Sequence, residues 1–362
     1  MRYFRQSLLF IICSLLFSAS TTAQTATSAY RPGVTSEGAV YYLPRTALRI
    51  SVLVERTSYT PGDFVGYAQR YLRLQNVKAE ASVSHRVVSI TQMPIGQADV
   101  TKVYAVKFNA KTVASNVVIA DDGRLLALNA EPEDEVVPKV FVPAPKPAPL
   151  NPRQYMNEEI LTAGSTAKMA ELTSREIYDL RENRSLLIKG QADFMPKDGQ
   201  QLKLMLAQLE TQETALRSLF EGTTVRDTTE YVITFVPEGP VSRKVLFRLS
   251  QQLGMVDADD LSGEPFYITI ENISVLPPVD EAAAAKAKKK VYESGIYVNV
   301  PGRMRSTIHQ GIDQLGQAEY PVAQFGRVEL LSADLFDKRY TTQLWISPIT
   351  GAVERLHADM VK

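Results

Sequence analysis

Apolar residues recur at alternating spacings of three and four along Leu202, Met205, Leu209, Gln212, Leu216 and Leu219, a heptad seam interrupted once by Gln212. This spacing predicts an amphipathic helix. Asp198 with Gln201 three residues later supplies a capping box, and Gly222 supplies the left-handed residue that stops the helix. Upstream, Met169, Thr173, Ile177, Leu180, Arg184 and Leu187 share a second helical face, which Ser165 can cap and Gly190 can close. At about 1.5 Å per residue each helix would be about 35 Å long. The connection from Gln191 to Lys197, with Pro196 ahead of the next cap, is short enough to fold the pair antiparallel. Away from the seam the hairpin is charged, and Arg175, Asp179, Glu182 and Arg217 are candidates for contacting a partner rather than only solvent.

On both sides of this hairpin, residues 165–222, the hydrophobic period changes from helical to two. A first body, residues 30–130, holds the apolar run at Tyr41-Tyr42-Leu43-Pro44, an alternating strand from Ala47 to Glu55 and a short helix from Phe64 to Leu74. Strands follow at Ala81–Ile90, Lys102–Phe108 and Val117–Leu128, the last folded at Asp121-Asp122-Gly123, where Asp-Gly supplies the positive φ of a hairpin turn. Residues 131–164 read as a linker, because its prolines deny a sheet its donors and favour an extended polyproline spacer. A middle β segment, 223–276, is followed by an Ala/Lys-rich loop, 277–293, and by a C-terminal β domain, 294–362. That last body echoes the first. Ile296-Tyr297-Val298-Asn299-Val300-Pro301 matches Ala39-Val40-Tyr41-Tyr42-Leu43-Pro44, and the turn at Thr350-Gly351 matches the turn at Gly123. The expected architecture is α+β: two related antiparallel β-rich bodies and a middle β segment with a long antiparallel helical hairpin.

Composition sets the address. Arg2 and Arg5 precede an apolar run from Ser7 to Phe17 and small residues up to Ala23, the pattern of a signal peptide spanning residues 1–23 and cleaved near Ala23. The run is too short to span a bilayer, and no second hydrophobic span follows. Cys13 lacks the residues that precede a lipid-modified cysteine, so an exported, periplasmic protein is expected rather than a lipoprotein. It is also the one cysteine of the chain, which leaves the mature protein without a disulfide, a thiolate metal site or a cysteine nucleophile. Lys plus Arg equals Asp plus Glu at 40 each, giving no charge excess that would favour nucleic acid.

Several unusual words carry a family resemblance. Tyr41-Tyr42-Leu43-Pro44, Tyr59-Thr60-Pro61-Gly62-Asp63-Phe64 with Tyr71-Leu72, Ala163-Gly164-Ser165-Thr166-Ala167-Lys168-Met169-Ala170-Glu171, Met195-Pro196-Lys197-Asp198-Gly199 and Leu219-Phe220-Glu221-Gly222-Thr223-Thr224 occur in that order. The mature chain resembles a domain-of-unknown-function family of exported proteins from Bacteroidota. The resemblance implies an envelope location and brings no catalytic residue with it.

Four groups of residues bear on chemistry. Ser165-Thr166-Ala167-Lys168 is an S-x-x-K word that places a serine one helical turn from a lysine, as acyl-transferring serine enzymes require. The partner motif of those enzymes is missing, since the candidate strand reads Ile349-Thr350-Gly351, and Ser165 is explained as a helix cap. Asp257, Asp259 and Asp260 form an acidic turn that could attract a cation, but the fifth and twelfth positions of a calcium loop fall on Leu261 and Ile268. His85, His309 and His357 are isolated, without zinc-ligand spacing. Tyr41, Tyr42 and Tyr297 lie where a sheet face could hold a small ligand. The expectation is therefore a non-catalytic, cofactor-free envelope scaffold whose hairpin docks an envelope protein. Serine acyl transfer or hydrolysis at Ser165 with Lys168, and ligand binding on a sheet face, are the alternatives.

Overall fold

The computed structural model describes residues 26–29, 39–107, 116–276, 278, 295–336 and 340–360. The segment read as a signal peptide lies outside them, as does the Ala/Lys-rich loop apart from Pro278. The described strands are β1 (Ala26–Ala29), β2 (Ala39–Thr60), β3 (Ser82–Lys107), β4 (Val117–Ile119), β5 (Leu125–Leu128), β6 (Thr223–Phe235) and β7 (Val241–Ser250). They continue with β8 (Gly254–Val256), β9 (Glu264–Asn272), β10 (Gly295–Gln310), β11 (Asp313–Ser332), β12 (Tyr340–Ile346) and β13 (Val353–Met360). The helices are α1 (Ala68–Leu72), α2 (Glu158–Leu161), α3 (Thr166–Lys189) and α4 (Gly199–Glu221). The protein is α+β, with three antiparallel sheets of order β1-β3-β2-β6, β11-β10-β9-β7-β8 and β13-β12-β5-β4.

The first two sheets enclose one core. Leu48, Ile50 and Val52 of β2 alternate inward and meet Phe247, Phe266, Ile268, Met304 and Ile308 of the second sheet. Tyr41, Leu43, Ile296 and Val298 enter a second core instead, with Leu125, Leu128, Leu344 and Ile346 of the third sheet. One long strand thus serves both cores, and so does its counterpart β10. A register jump re-aims each of them. In β2 the pairing passes from Tyr42↔Val103 to Pro44↔Ala98, and in β10 from Val300↔Arg327 to Gly302↔Val322. Gly326 needs its bare backbone at the second jump, because a Cβ there would lie 1.9 Å from the Val300 carbonyl oxygen.

The segments read along the chain combine across sheets. β6 of the middle segment joins β2, while β7, β8 and β9 extend the sheet of β10 and β11. The third sheet is made jointly by β4 and β5 from the first body and β12 and β13 from the last. Two local expectations are corrected. β3 is one strand where two were expected. Pro94 is accommodated because β1 covers only residues 104–107, leaving β3 an edge at Pro94 where no donor is needed. The helix expected from Phe64 to Leu74 is a 3-10 turn, Val65–Tyr67, followed by α1 and stopped at Arg73 with φ 57°.

Candidate functional site

The hairpin forms where its apolar spacing and caps place it. Ser165 Oγ accepts from the Lys168 amide at 3.2 Å, and Gly190 closes α3 with φ 71°. Asp198 accepts from the Gln201 amide at 2.7 Å, and the Gln201 Oε1 accepts in return from the Lys197 amide at 3.3 Å rather than from the amide of the cap itself. Gly222 ends α4 with φ 78°.

The base of the hairpin is locked to the sheets. Ala170, Ile177, Leu180, Leu216, Leu219 and Phe220 pack on Phe64, Ala68 and Leu72, which bridge β2 and β3. The Phe64 amide donates to the Leu219 carbonyl at 2.7 Å, and Gly62 lies so close that a Cβ would sit 2.1 Å from that oxygen. The Tyr59 hydroxyl lies 2.9 Å from the Glu221 carbonyl and 2.8 Å from the Lys78 carbonyl. Midway along, the buried Glu213 of α4 accepts from Arg181 at 2.7 Å and pairs with Arg184 at 3.2 Å, an ion cluster across the seam that sets register. Thr173 is fully buried, and among the described residues its Oγ1 has no hydrogen-bond partner.

The far end is different. Ile188, Phe194, Met195 and Leu204 are 66%, 88%, 43% and 72% exposed. Beside them lies a groove of about 440 Å³ between the helices, lined by Leu186, Leu187, Phe194, Met205 and Leu209 together with the polar Asn183, Asp193, Gln208 and Gln212. Sequence reading missed this tip. Its one local signal is the apolar pair Phe194-Met195 inside an otherwise polar connection.

The candidate residues are dispersed. Arg175 is exposed and pairs with Glu171 at 2.5 Å, Asp179 and Glu182 are exposed, and the half-buried Arg217 is paired with Glu221 near the base. Ser165 is exposed with its hydroxyl on the cap, while the Lys168 ammonium bonds Glu171 at 3.3 Å instead of the serine. In the acidic turn, Asp260 accepts from the Ser262 amide at 2.9 Å, a bond that holds its carboxyl below the ordinary value. Arg248 ties that turn down through the carbonyls of Ala258 at 2.8 Å and Gly263 at 3.1 Å. Among the described residues no group of three or more His, Cys, Asp and Glu is disposed to hold a metal.

Of the three tyrosines read on a sheet face, Tyr42 and Tyr297 are half-buried, and Tyr41 is placed differently. Tyr41 is fully buried, its hydroxyl accepting from the Tyr297 amide at 2.9 Å and donating to the Tyr297 carbonyl at 3.2 Å. Burial pushes that hydroxyl's pKa far up. Tyr104 stacks on Tyr297 at 4.3 Å. Tyr41 therefore cements strands and is closed to a ligand.

Among the described residues no helix is long and apolar enough to cross a membrane. No curated protein and no solved structure matches the chain. A family model described as a domain of unknown function, DUF4831, matches residues 37–354, a span that contains both cores and the whole hairpin, and the chain belongs to that family.

Proposed function

We propose that this protein is a non-catalytic component of the bacterial envelope, exported to the periplasm, which binds a partner protein through the far end of its helical hairpin. The observation that carries this reading is the contrast between the two ends. The base is buried against the body, while four large apolar side chains stand exposed at the tip, Phe194 among them lining the groove. An arm that presents a groove with apolar and polar lining beside exposed apolar side chains suits recognition of a partly apolar segment of another protein. Of the exposed charged residues on the arm, Glu182 lies one turn from the groove-lining Leu186, whereas Arg175 and Asp179 flank the base residue Ile177. Export is supported by Arg2, Arg5 and the apolar run that follows them.

Photo-crosslinking in cells tests the reading, with the reactive group placed in turn at Phe194 and Leu204 of the tip and, as base controls, at Arg175 and Arg217. One recurring envelope protein captured from Phe194 and Leu204 but not from Arg175 or Arg217 is the expected result. Capture of nothing from the tip at normal expression, or equal capture from tip and base positions, would overturn it.

A further inference from the structure

The proline-rich segment read as a linker is fastened to the body along its length. The Trp345 indole donates to the Glu131 carbonyl at 2.9 Å, Arg355 pairs with Glu133, and Arg124 pairs with Glu135 at 2.7 Å. Further on, the Phe141 amide donates to Glu230 of β6 at 3.1 Å, and the Lys146 ammonium reaches the Arg226 carbonyl and the Asp227 carboxylate. The contacts run forward along the segment and backward along β6, so the strap lies antiparallel beside the outermost strand of the first sheet. Yet among the described residues no main-chain hydrogen bond joins the two. Among those residues, the one β6 main-chain group the strap meets is the Arg226 carbonyl, which takes the Lys146 ammonium.

The strap suits a screening role. Pro138, Pro143, Pro145 and Pro147 have no N–H to offer a further strand, and Lys139 and Lys146 add charge to the edge. Beneath it lies a thirteen-residue strand rich in Thr, Val, Ile and Tyr, on which Val225, Tyr231 and Val232 are 44%, 38% and 50% exposed. An exposed edge of that length and composition is a template for pairing.

We propose that residues 138–147 are a displaceable guard on β6, and that the occupant they exclude is β6 of a second copy. Two β6 edges paired antiparallel about a two-fold axis at Thr228 set Arg226 opposite Glu230 and Val225 opposite Tyr231, each pair occurring twice by symmetry. The charges of the edge are thus complementary to themselves.

The test uses the full chain with residues 138–147 replaced by Gly and Ser at equal length, compared with the parent by light scattering over a range of concentrations. The expected result is a concentration-dependent doubling of mass over the parent, reversed by adding Arg226→Glu, which would face Glu230 across the axis. A variant with the parent's melting temperature and the parent's mass at every concentration overturns the guard. A doubling that Arg226→Glu leaves intact overturns the assignment to β6. Should the replacement prevent folding, Lys146→Glu, which repels Asp227 and leaves the prolines in place, is read by the same masses.

Discussion

The Asn299 amide donates to the Gly351 carbonyl at 2.9 Å, and the Tyr42 amide donates to the Gly123 carbonyl at the same distance. Each bond ties the start of a long strand to a turn of the third sheet, and each turn glycine has positive φ, 72° and 87°. A Cβ on Gly351 would lie 2.6 Å from Pro44 Cδ and 2.9 Å from Asn299 Nδ2. Gly351→Ala should therefore add a steric clash to the left-handed backbone cost of about 1–2 kcal/mol. Gly190 has φ 71° but open space around it, so Gly190→Ala should show only the backbone cost. Urea unfolding of the two variants checks this, and equal losses would remove the contact argument.

The two ends of the hairpin should respond differently to truncation. Phe220 is fully buried and meets Phe64 edge-on at 5.4 Å, so Phe220→Ala should destabilise by about 3–5 kcal/mol. Phe194→Ala should stay within about 0.5 kcal/mol of the parent, because the ring is already in water. Thermal melts of both distinguish a docked base from a free tip.

Thr173 offers a gain. Its hydroxyl is buried without a partner, and valine has nearly the same shape. Thr173→Val should stabilise by about 1 kcal/mol by removing an uncompensated desolvation penalty. A denaturant midpoint below the parent's would mean that the hydroxyl is satisfied in solution.

The strap should loosen in acid. The Ser51 hydroxyl at 2.6 Å, the Phe141 amide and Arg49 at 3.2 Å hold the Glu230 carboxyl below its ordinary value. A depressed folded-state pKa means that the contribution is complete above the ordinary glutamate value of about 4.3 and disappears as pH falls through the lowered one. Amide exchange at Phe141, corrected for intrinsic rate, should therefore rise below about pH 4. Glu230→Gln should flatten that rise.

Ser165→Ala should cost about 1 kcal/mol, the usual loss of a cap. A serine-reactive acylating probe should leave the parent unlabelled. Labelling of the parent that disappears in Ser165→Ala would establish the acyl-transfer alternative instead.

Much of the hairpin is legible in the sequence alone. Helical period and caps are local properties, because each cap bonds an amide three residues away and each seam residue meets a neighbour one turn on. The same holds for the hairpin turn at Gly123, whose positive φ is written in Asp122-Gly123. The echo of Tyr42-Leu43-Pro44 in Asn299-Val300-Pro301 also stands in the sequence, although what the echo does, tying each long strand to the third sheet, does not. Tertiary structure alone decided which strands share a sheet. β2 pairs with β6 across the whole linker and hairpin, and main-chain hydrogen bonds are the same for any partner, so no local pattern names it. The burial of Tyr41, the continuity of β3 through Pro94 and the exposure of Phe194 were decided in the same way. Proline content made residues 131–149 extended, but their fastening rests on Glu230, Arg124 and Trp345, each brought to the strap by strand pairing elsewhere in the fold.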